Sequence, residues 1–355
     1  MIKVLIAHSS GIGGTKVVAD KIASYLSKLG YECEQLILPT NFFKNRVFLR
    51  FPFSILDAWL NFYEIRRKSK QISKYDLIIT LQPHSLYLKH RRMLIVFQHQ
   101  FKPAYELLSY YLANKKFLKK IVHVINALNR RIIDRIALQW IKRFPILAIS
   151  KTVNERLKKF WGISANRIIY PGGYDGEIES FGNEYALYLG RLDWNVKRLK
   201  LVYEAAKLLP NIPFVVAGDP DPPPKEAQNP PKNIRLISHN SMFSTKEKQE
   251  LYSRAFCVIY PAKDEDYGLV PIEAMAAGKP CIVCEDGGGV TETIIHKKTG
   301  LIVPPNPIAI ANAILELRNT SNSYREACLQ RARLFSWDTF LNEVEKMIKE
   351  ICFKP

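Results

Sequence analysis

Two basic side chains follow a glycine in YLGRLDWNVKR, residues 188–198: Gly190, then Arg191 and Lys197. Set after a strand end, they would put fixed positive charge where a departing diphosphate gains negative charge. Taken alone, the pair also fits a solvated turn. A second cluster, PAKDEDYGLVPIEAMAAGKP (residues 261–280), has Glu265 ahead of Tyr267, Gly268, Leu269 and Val270, with Glu273 eight positions after Glu265. Backbone N–H groups that open a helix have no partner within it, so Tyr267 to Val270 can receive phosphate. Glu273, in or near the first turn, can accept from both hydroxyls of a ribose. Its plainer role is that of a favourable first-turn acid.

Weaker signals lie earlier in the chain. SSGIGGT, residues 9–15, stands between a strand and a helix, where Gly13 and Gly14 would allow close backbone approach to a phosphate. It lacks the GxGxxG spacing of a dinucleotide fingerprint, and a tight turn without ligand is the alternative. His99, in LIVFQHQF, falls at the C-terminal end of a predicted strand, the end from which parallel sheets offer side chains to substrates. Cys281 and Cys284 have the spacing of half a zinc site, but no second close Cys/His pair accompanies them, so the expectation is buried, structural thiols and no metal.

The elements that must carry these residues read as alternating strands and helices. Strands are expected at 2–8, 33–38, 76–81, 93–98, 146–150 and 167–170, with helices at 15–29 and 153–160. Gly30 would stop the first helix. Residues 104–143 read as one or two amphipathic helices with Lys/Arg between apolar positions. A second series has strands at 185–189, 213–217, 234–238 and 257–260 and helices at 198–209, 245–256 and 271–277, the last closed by Gly278. The ending SWDTFLNEVEKMIKEICF has a cap candidate in Ser336 and sets Phe340, Val344, Met347 and Ile351 on one helical face. The pattern is α/β, with two doubly wound domains, 1–175 and 176–335, facing across a cleft. A final helix spans 336–355.

Length supports two domains, since 355 residues exceed one hydrophobic core, and 47% hydrophobic composition excludes a largely disordered chain. Charge is divided sharply: residues 1–175 hold 30 Lys/Arg against 10 Asp/Glu, residues 176–355 hold 22 against 23. An anionic partner should therefore meet the first half. In FFKNRVFLRFPFSIL, residues 42–56, Lys44, Arg46 and Arg50 alternate with aromatic and aliphatic groups. Tyr105 to Arg143 does the same at helical length, with Lys115, Lys116, Lys119, Lys120, Arg130, Arg131 and Arg135. Such segments suit an anionic membrane surface. No apolar run reaches 18 residues, which leads us to expect a cytoplasmic protein, peripheral on the cytoplasmic face of the membrane. Nucleic acid would also answer the charge, but no zinc-finger, KH or RNP pattern is present, and carboxylates at Glu265 and Glu273 would repel phosphate backbones.

The chain resembles the retaining GT-B glycosyltransferases of family 4. The resemblance rests on SSGIGGTKVVADKIASYLSKLGY, YPGGYD, YLGRLDWNVKRLKLVYEAAKLLP, YPAKDEDYGLVPIEAMAAGKP, GGGVTETI and KKTGLIVPP, and above all on the Glu265/Glu273 spacing. It implies two Rossmann-like domains, the first on the acceptor side and the second binding the nucleotide sugar, with the last helix packing back on the first. It further implies that Arg191 and Lys197 hold the donor diphosphate, Glu273 the ribose, and that Glu265 approaches the donor sugar. Gly13 and Gly14 then lie near the diphosphate and acceptor, and His99 faces the sugar. The sequence departs from the family in having Pro171-Gly172-Gly173 before Asp175, and in the proline-rich stretch after Gly218 where members often touch the base.

The implied activity is metal-independent, retaining transfer of a sugar to a hydroxyl of a lipid-linked or glycan acceptor. GDP-mannose is favoured over UDP-sugars, and no cofactor is needed beyond the donor. The oligomeric state is not indicated. A sugar-nucleotide epimerase or a phosphorolytic enzyme on the same fold is the alternative, although no lysine-cofactor motif is evident. A basic nucleic-acid-binding protein is the more distant one.

Overall fold

The computed structural model describes residues 1–9, 14–38, 54–113, 116–173, 175–180, 182–220, 222–241 and 243–353. Gly13, Lys44, Arg46, Arg50 and Lys115 lie outside the described residues. The chain forms two units, Met1–Ile169 with Leu341–Pro355, and Tyr170–Phe340. The division thus falls at Tyr170, a few residues before the position read from the sequence, and it passes through the final helix.

In the first unit the strands are β1 (Lys3–Ser9), β2 (Glu32–Leu38), β3 (Leu77–Thr80), β4 (Met93–Phe97), β5 (Ile146–Ala148) and β6 (Arg167–Ile168). They pair in parallel in the order β2-β1-β3-β4-β5-β6. β3 and β4 are buried along their whole length because helices cover both sheet faces. The helices are α1 (Gly14–Lys28), α2 (Ser54–Lys68), α3 (Leu108–Ala113), α4 (Phe117–Ile141) and α5 (Lys151–Trp161). α1 buries Val18, Ala19, Ile22 and Leu26, and Gly30 ends its turn at φ 86°, a conformation that L side chains avoid. Ser150 caps α5 through its Oγ, which accepts from the Val153 N–H at 3.0 Å.

In the second unit the strands are β7 (Tyr185–Leu189), β8 (Phe214–Gly218), β9 (Ile234–Ser238), β10 (Ala255–Tyr260), β11 (Cys281–Cys284) and β12 (Gly300–Val303). The helices are α6 (Leu199–Leu208), α7 (Thr245–Arg254), α8 (Leu269–Ala276), α9 (Pro307–Thr320) and α10 (Arg325–Arg333); α11 (Trp337–Phe353) starts in this unit and from Leu341 onward belongs to the first. The strand order is β12-β11-β10-β7-β8-β9, parallel throughout. Both units are thus doubly wound α/β. Cys257, Cys281, Cys284 and Cys328 are buried free thiols in this unit.

Two expectations about helix bounds change. α8 begins at Leu269, not Pro271, because a proline in the first turn removes an N–H that has no helical partner anyway. α7 ends at Arg254, where the chain is drawn straight into β10. Along α11, Phe340, Val344 and Met347 are buried as read, while Ile348 is fully buried and Ile351 only half so. Arg167 ties β6 to α11 through Glu343 at 2.8 Å and Glu350 at 2.7 Å.

Candidate functional site

Strand order decides where a site can form in the second unit. Counting from β7, the sheet runs outward in one direction through β8 and β9 and in the other through β10, β11 and β12. The direction of winding therefore reverses between β7 and β10. At such a switch point in an open α/β sheet, ligands bind outside the C-terminal ends of the strands. The loop after β7 carries Arg191 and Lys197, and the loop after β10 carries Glu265.

Each loop is shaped by its own short-range chemistry. The Asp193 carboxylate accepts from the backbone N–H groups of Asn195 at 3.0 Å and Lys197 at 3.1 Å, folding the chain back on itself. This turns the Lys197 ammonium toward β10, where it pairs with the Glu265 carboxylate and donates to the Tyr260 hydroxyl at 3.0 Å. Tyr260 donates in turn to Glu265 at 3.2 Å. Burial and then the Glu265 charge hold the Tyr260 hydroxyl well above its ordinary value, so it remains a neutral donor.

The neighbouring Arg198 fixes a third loop. Its guanidinium meets Asp286 with two bonds, 2.6 and 2.5 Å, and this pairing lowers the Asp286 carboxyl. Backbone bonds lace the loops together: Lys263 N–H to the Val196 carbonyl, Asp264 N–H to Asp286, Glu265 N–H to Gly287, and Gly289 N–H to Glu265. Gly289 is required there, since a Cβ would stand 2.1 Å from the Asp266 carbonyl oxygen.

α8 opens at Gly268 with φ 88°, so the N–H groups of Leu269 and Val270 lie in its first turn without helical acceptors. One turn on, the Glu273 carboxylate accepts from the Tyr252 hydroxyl at 2.7 Å and pairs with Lys248, both on α7. A carboxylate offers about four acceptor positions, so roughly two remain for a diol. Tyr267 was read for its backbone N–H alone, and its side chain is engaged elsewhere. That side chain is 4% exposed, donates to the Pro171 carbonyl at 2.6 Å and stacks on Tyr170, leaving only its backbone for a ligand.

The structure therefore brings Lys197 and Glu265 into contact, with Tyr260 between them. Arg191 is exposed, forms no ion pair among the described residues, and lies near enough to Tyr260 to draw its hydroxyl downward. Glu273 sits in an adjoining cluster with Lys248 and Tyr252. Gly14 and His99 belong to the first unit. Gly14 opens α1 and is exposed. His99 is half-buried after β4, and its Nδ1 lies 2.7 Å from the Gln100 carbonyl, which can only accept. Nδ1 is therefore the donor in that bond. Beside it Thr15 donates to Gln98 at 2.6 Å and accepts from Gln82 at 2.8 Å. Sequence reading missed Asp193, Tyr260, Asp286, Lys248 and Tyr252. The only signal among them is the tyrosine closing the apolar run of β10.

Residues 177–335, the segment that holds Arg191, Lys197, Tyr260, Glu265 and Glu273, match the family described as Glycosyl transferases group 1. Among curated relatives, the mouse (Mus musculus) alpha-1,3/1,6-mannosyltransferase ALG2 is 29% identical over 121 residues, covering 33% of this chain and 29% of that one. The chain thus spans under a third of the length of the first curated relatives it matches. Two solved structures extend the likeness beyond the group 1 segment. Sucrose-phosphate synthase from Thermosynechococcus elongatus superposes with a TM-score of 0.76 at 17% identity, covering 99% of each chain. Anabaena HepE in complex with UDP-glucose superposes with a TM-score of 0.71 at 17% identity, over 99% of this chain and 100% of that one. The fold is GT-B, a pair of Rossmann-like units.

Proposed function

We propose that this protein is a retaining glycosyltransferase that moves a sugar from a nucleotide-sugar donor to a hydroxyl of a lipid-linked or glycan acceptor at a membrane surface. The observation that carries the reading is the Lys197–Glu265–Tyr260 cluster at the β7/β10 switch point, with Arg191 and the opening turn of α8 beside it. In this reading the donor diphosphate takes its place against Arg191, Lys197 and the first-turn N–H groups, and Glu273 takes the ribose hydroxyls.

The bond from the anomeric carbon to the diphosphate oxygen breaks, the acceptor oxygen bonds to the same face, and its proton passes to the departing phosphate. Arg191, Lys197 and the helix N–H groups stabilise the charge that collects on that phosphate. Glu265 holds the Lys197 ammonium and stands near the donor sugar. Because fixed cations supply the charge stabilisation, no metal is required. The mannosyltransferase relatives support GDP-mannose as donor. The HepE complex with UDP-glucose is the reason to test uridine nucleotides beside it.

The test is a screen of GDP- and UDP-sugars for protection against thermal unfolding, followed by transfer with EDTA present. A ligand at a hundred times its dissociation constant adds about 2.7 kcal/mol to apparent stability. GDP-mannose is expected to protect and uridine nucleotides not to. Protection by UDP-sugars alone overturns the donor, and an inverted product anomer overturns retention. Release of sugar phosphate or a free epimer, with no transfer, favours the phosphorolytic or epimerase reading.

A further inference from the structure

α4 has two apolar faces. One is buried in the first unit through Ala127, Ile133, Ala137 and Ile141. On the opposite side Phe117, Leu118, Ile121, Val124, Ile125, Leu128 and Ile132 recur at helical spacing and are exposed, Phe117 by 75% and Leu118 by 70%. These are seven of the nineteen large hydrophobic side chains exposed among the described residues, so the excess belongs to this helix and is not scattered. The stripe is about 23 Å long at the rise of an α-helix. Leu60 and Tyr63 of α2, the helix packed against α4, are exposed too. Monomers rarely leave an apolar patch of more than a few hundred Å² in water, and helices apolar on both sides are normally covered on both.

Charge selects the cover. Lys116, Lys119 and Lys120 crowd the N-terminal turn of α4, where the helix dipole disfavours cations and where no acidic residue stands. Between Leu107 and Ile133 the sequence contains no Asp or Glu. These three lysines form no ion pair among the described residues, and Arg135 continues the exposed row beyond Ile132. A second copy of the chain laid on this face would find no carboxylate on the outward side of α4 to pair with its own basic groups. An anionic bilayer offers acyl chains to the stripe and headgroup phosphates to the lysines.

We propose that the outward face of α4, from Lys116 to Arg135, is an interfacial membrane-binding surface. The helix lies in the plane of an anionic leaflet, with Phe117, Leu118, Ile121, Ile125, Leu128 and Ile132 below the headgroups. This deepens the membrane-surface reading given above and is independent of the transfer reaction. No helix among the described residues is long and apolar enough to cross the bilayer, so attachment by α4 is parallel to the surface.

The experiment is sedimentation of the full chain with vesicles of phosphatidylcholine alone, or of phosphatidylcholine and phosphatidylglycerol in equal parts. The wild-type protein is expected to bind the mixed vesicles and not the neutral ones. Replacing Ile121 and Leu128 together by Glu should weaken binding at least tenfold. Replacing Lys116, Lys119 and Lys120 together by Glu should weaken it on the order of a hundredfold. All these positions are solvent-exposed or half-exposed, and unaltered circular dichroism and unfolding midpoint confirm that each variant folds. Absence of the wild-type protein from both pellets, or variants that sediment like wild type, overturns the surface. So does a dimer in solution that the Leu128→Glu variant abolishes. The nucleotide-sugar screen on the same variants reads the donor site separately, so failure of either reading leaves the other standing.

Discussion

Lys197 is held by two partners of opposite kind, an ion and a neutral hydroxyl, and removing it strands both. Lys197→Ala should therefore lower kcat roughly a hundredfold, the scale of losing one preorganised donor to a leaving group. Arg191→Ala should cost a similar factor while leaving the unfolding midpoint unchanged, since that side chain is exposed and carries no packing. Glu273→Gln keeps a partner for Tyr252 yet weakens the carboxylate, and should raise the donor KM about tenfold with little change in kcat. Steady-state kinetics on the three variants check this, and unchanged kcat/KM in all of them would remove the donor site. Lys279 yields a prediction of another kind. It is 4% exposed, and burial first, then Arg325, bring its ammonium down to about 8. Below that pH both the folded and the unfolded chain hold the proton, and the fold bears the full cost of a buried charge. Between pH 8 and the ordinary lysine value of 10.5 the unfolded chain binds the proton more tightly, so this residue's contribution to stability rises with pH. In denaturation curves at pH 7 and pH 10, the stability difference between wild type and Lys279→Met should shift toward wild type at the higher pH. A difference independent of pH would contradict it.

At the scale of elements, the loop between β7 and α6 is pinned at one unusual point. Arg198 has φ 56°, a left-handed conformation that costs a side chain roughly 1 to 2 kcal/mol, and its two bonds to Asp286 offset that cost. Glycine would relieve the backbone and lose the link. Arg198→Gly should thus leave the unfolding midpoint within a few degrees of wild type while raising the donor KM at least fivefold, because the next residue back is Lys197. Asp286→Asn should act alike, and the double variant no worse than either single one. Unaltered donor KM in Arg198→Gly would show that the link does not position the site.

The same loops mark how far sequence reading reaches. Tyr185 to Leu189 and Ile234 to Ser238 were legible to the residue because short apolar runs between polar turns have few other uses. Cys281 to Cys284 was read for its thiols and its strand was missed. α2, α9 and α10 were not read: α10 has no side-chain cap, whereas α9 carries a legible start that was passed over, Asn306 accepting from the Ala309 N–H with Pro307 opening the helix. Glu265 and Glu273 could be found from spacing. The partners could not: Lys197 and Glu265 are 68 positions apart, and only the strand order that sets β7 against β10 makes them neighbours.

Taken whole, the molecule separates its charge excess from the proposed donor site. The second unit, which carries Arg191 and Lys197, lies in the half with no excess of basic residues, so its affinity for an anion has to come from two or three aimed groups. The first half, with 30 basic against 10 acidic residues, can act on an extended anionic surface without aiming at all. The helix α11 then has a consequence in time. Residues from Leu341 onward belong to the first unit, but a ribosome releases them only after all of Tyr170–Phe340 has emerged. Until then Arg167 on β6 lacks Glu343 and Glu350, and one flank of a sheet begun by the earliest residues stands uncovered. The second unit can therefore finish folding first, although it is made second, while the basic first unit waits for α11.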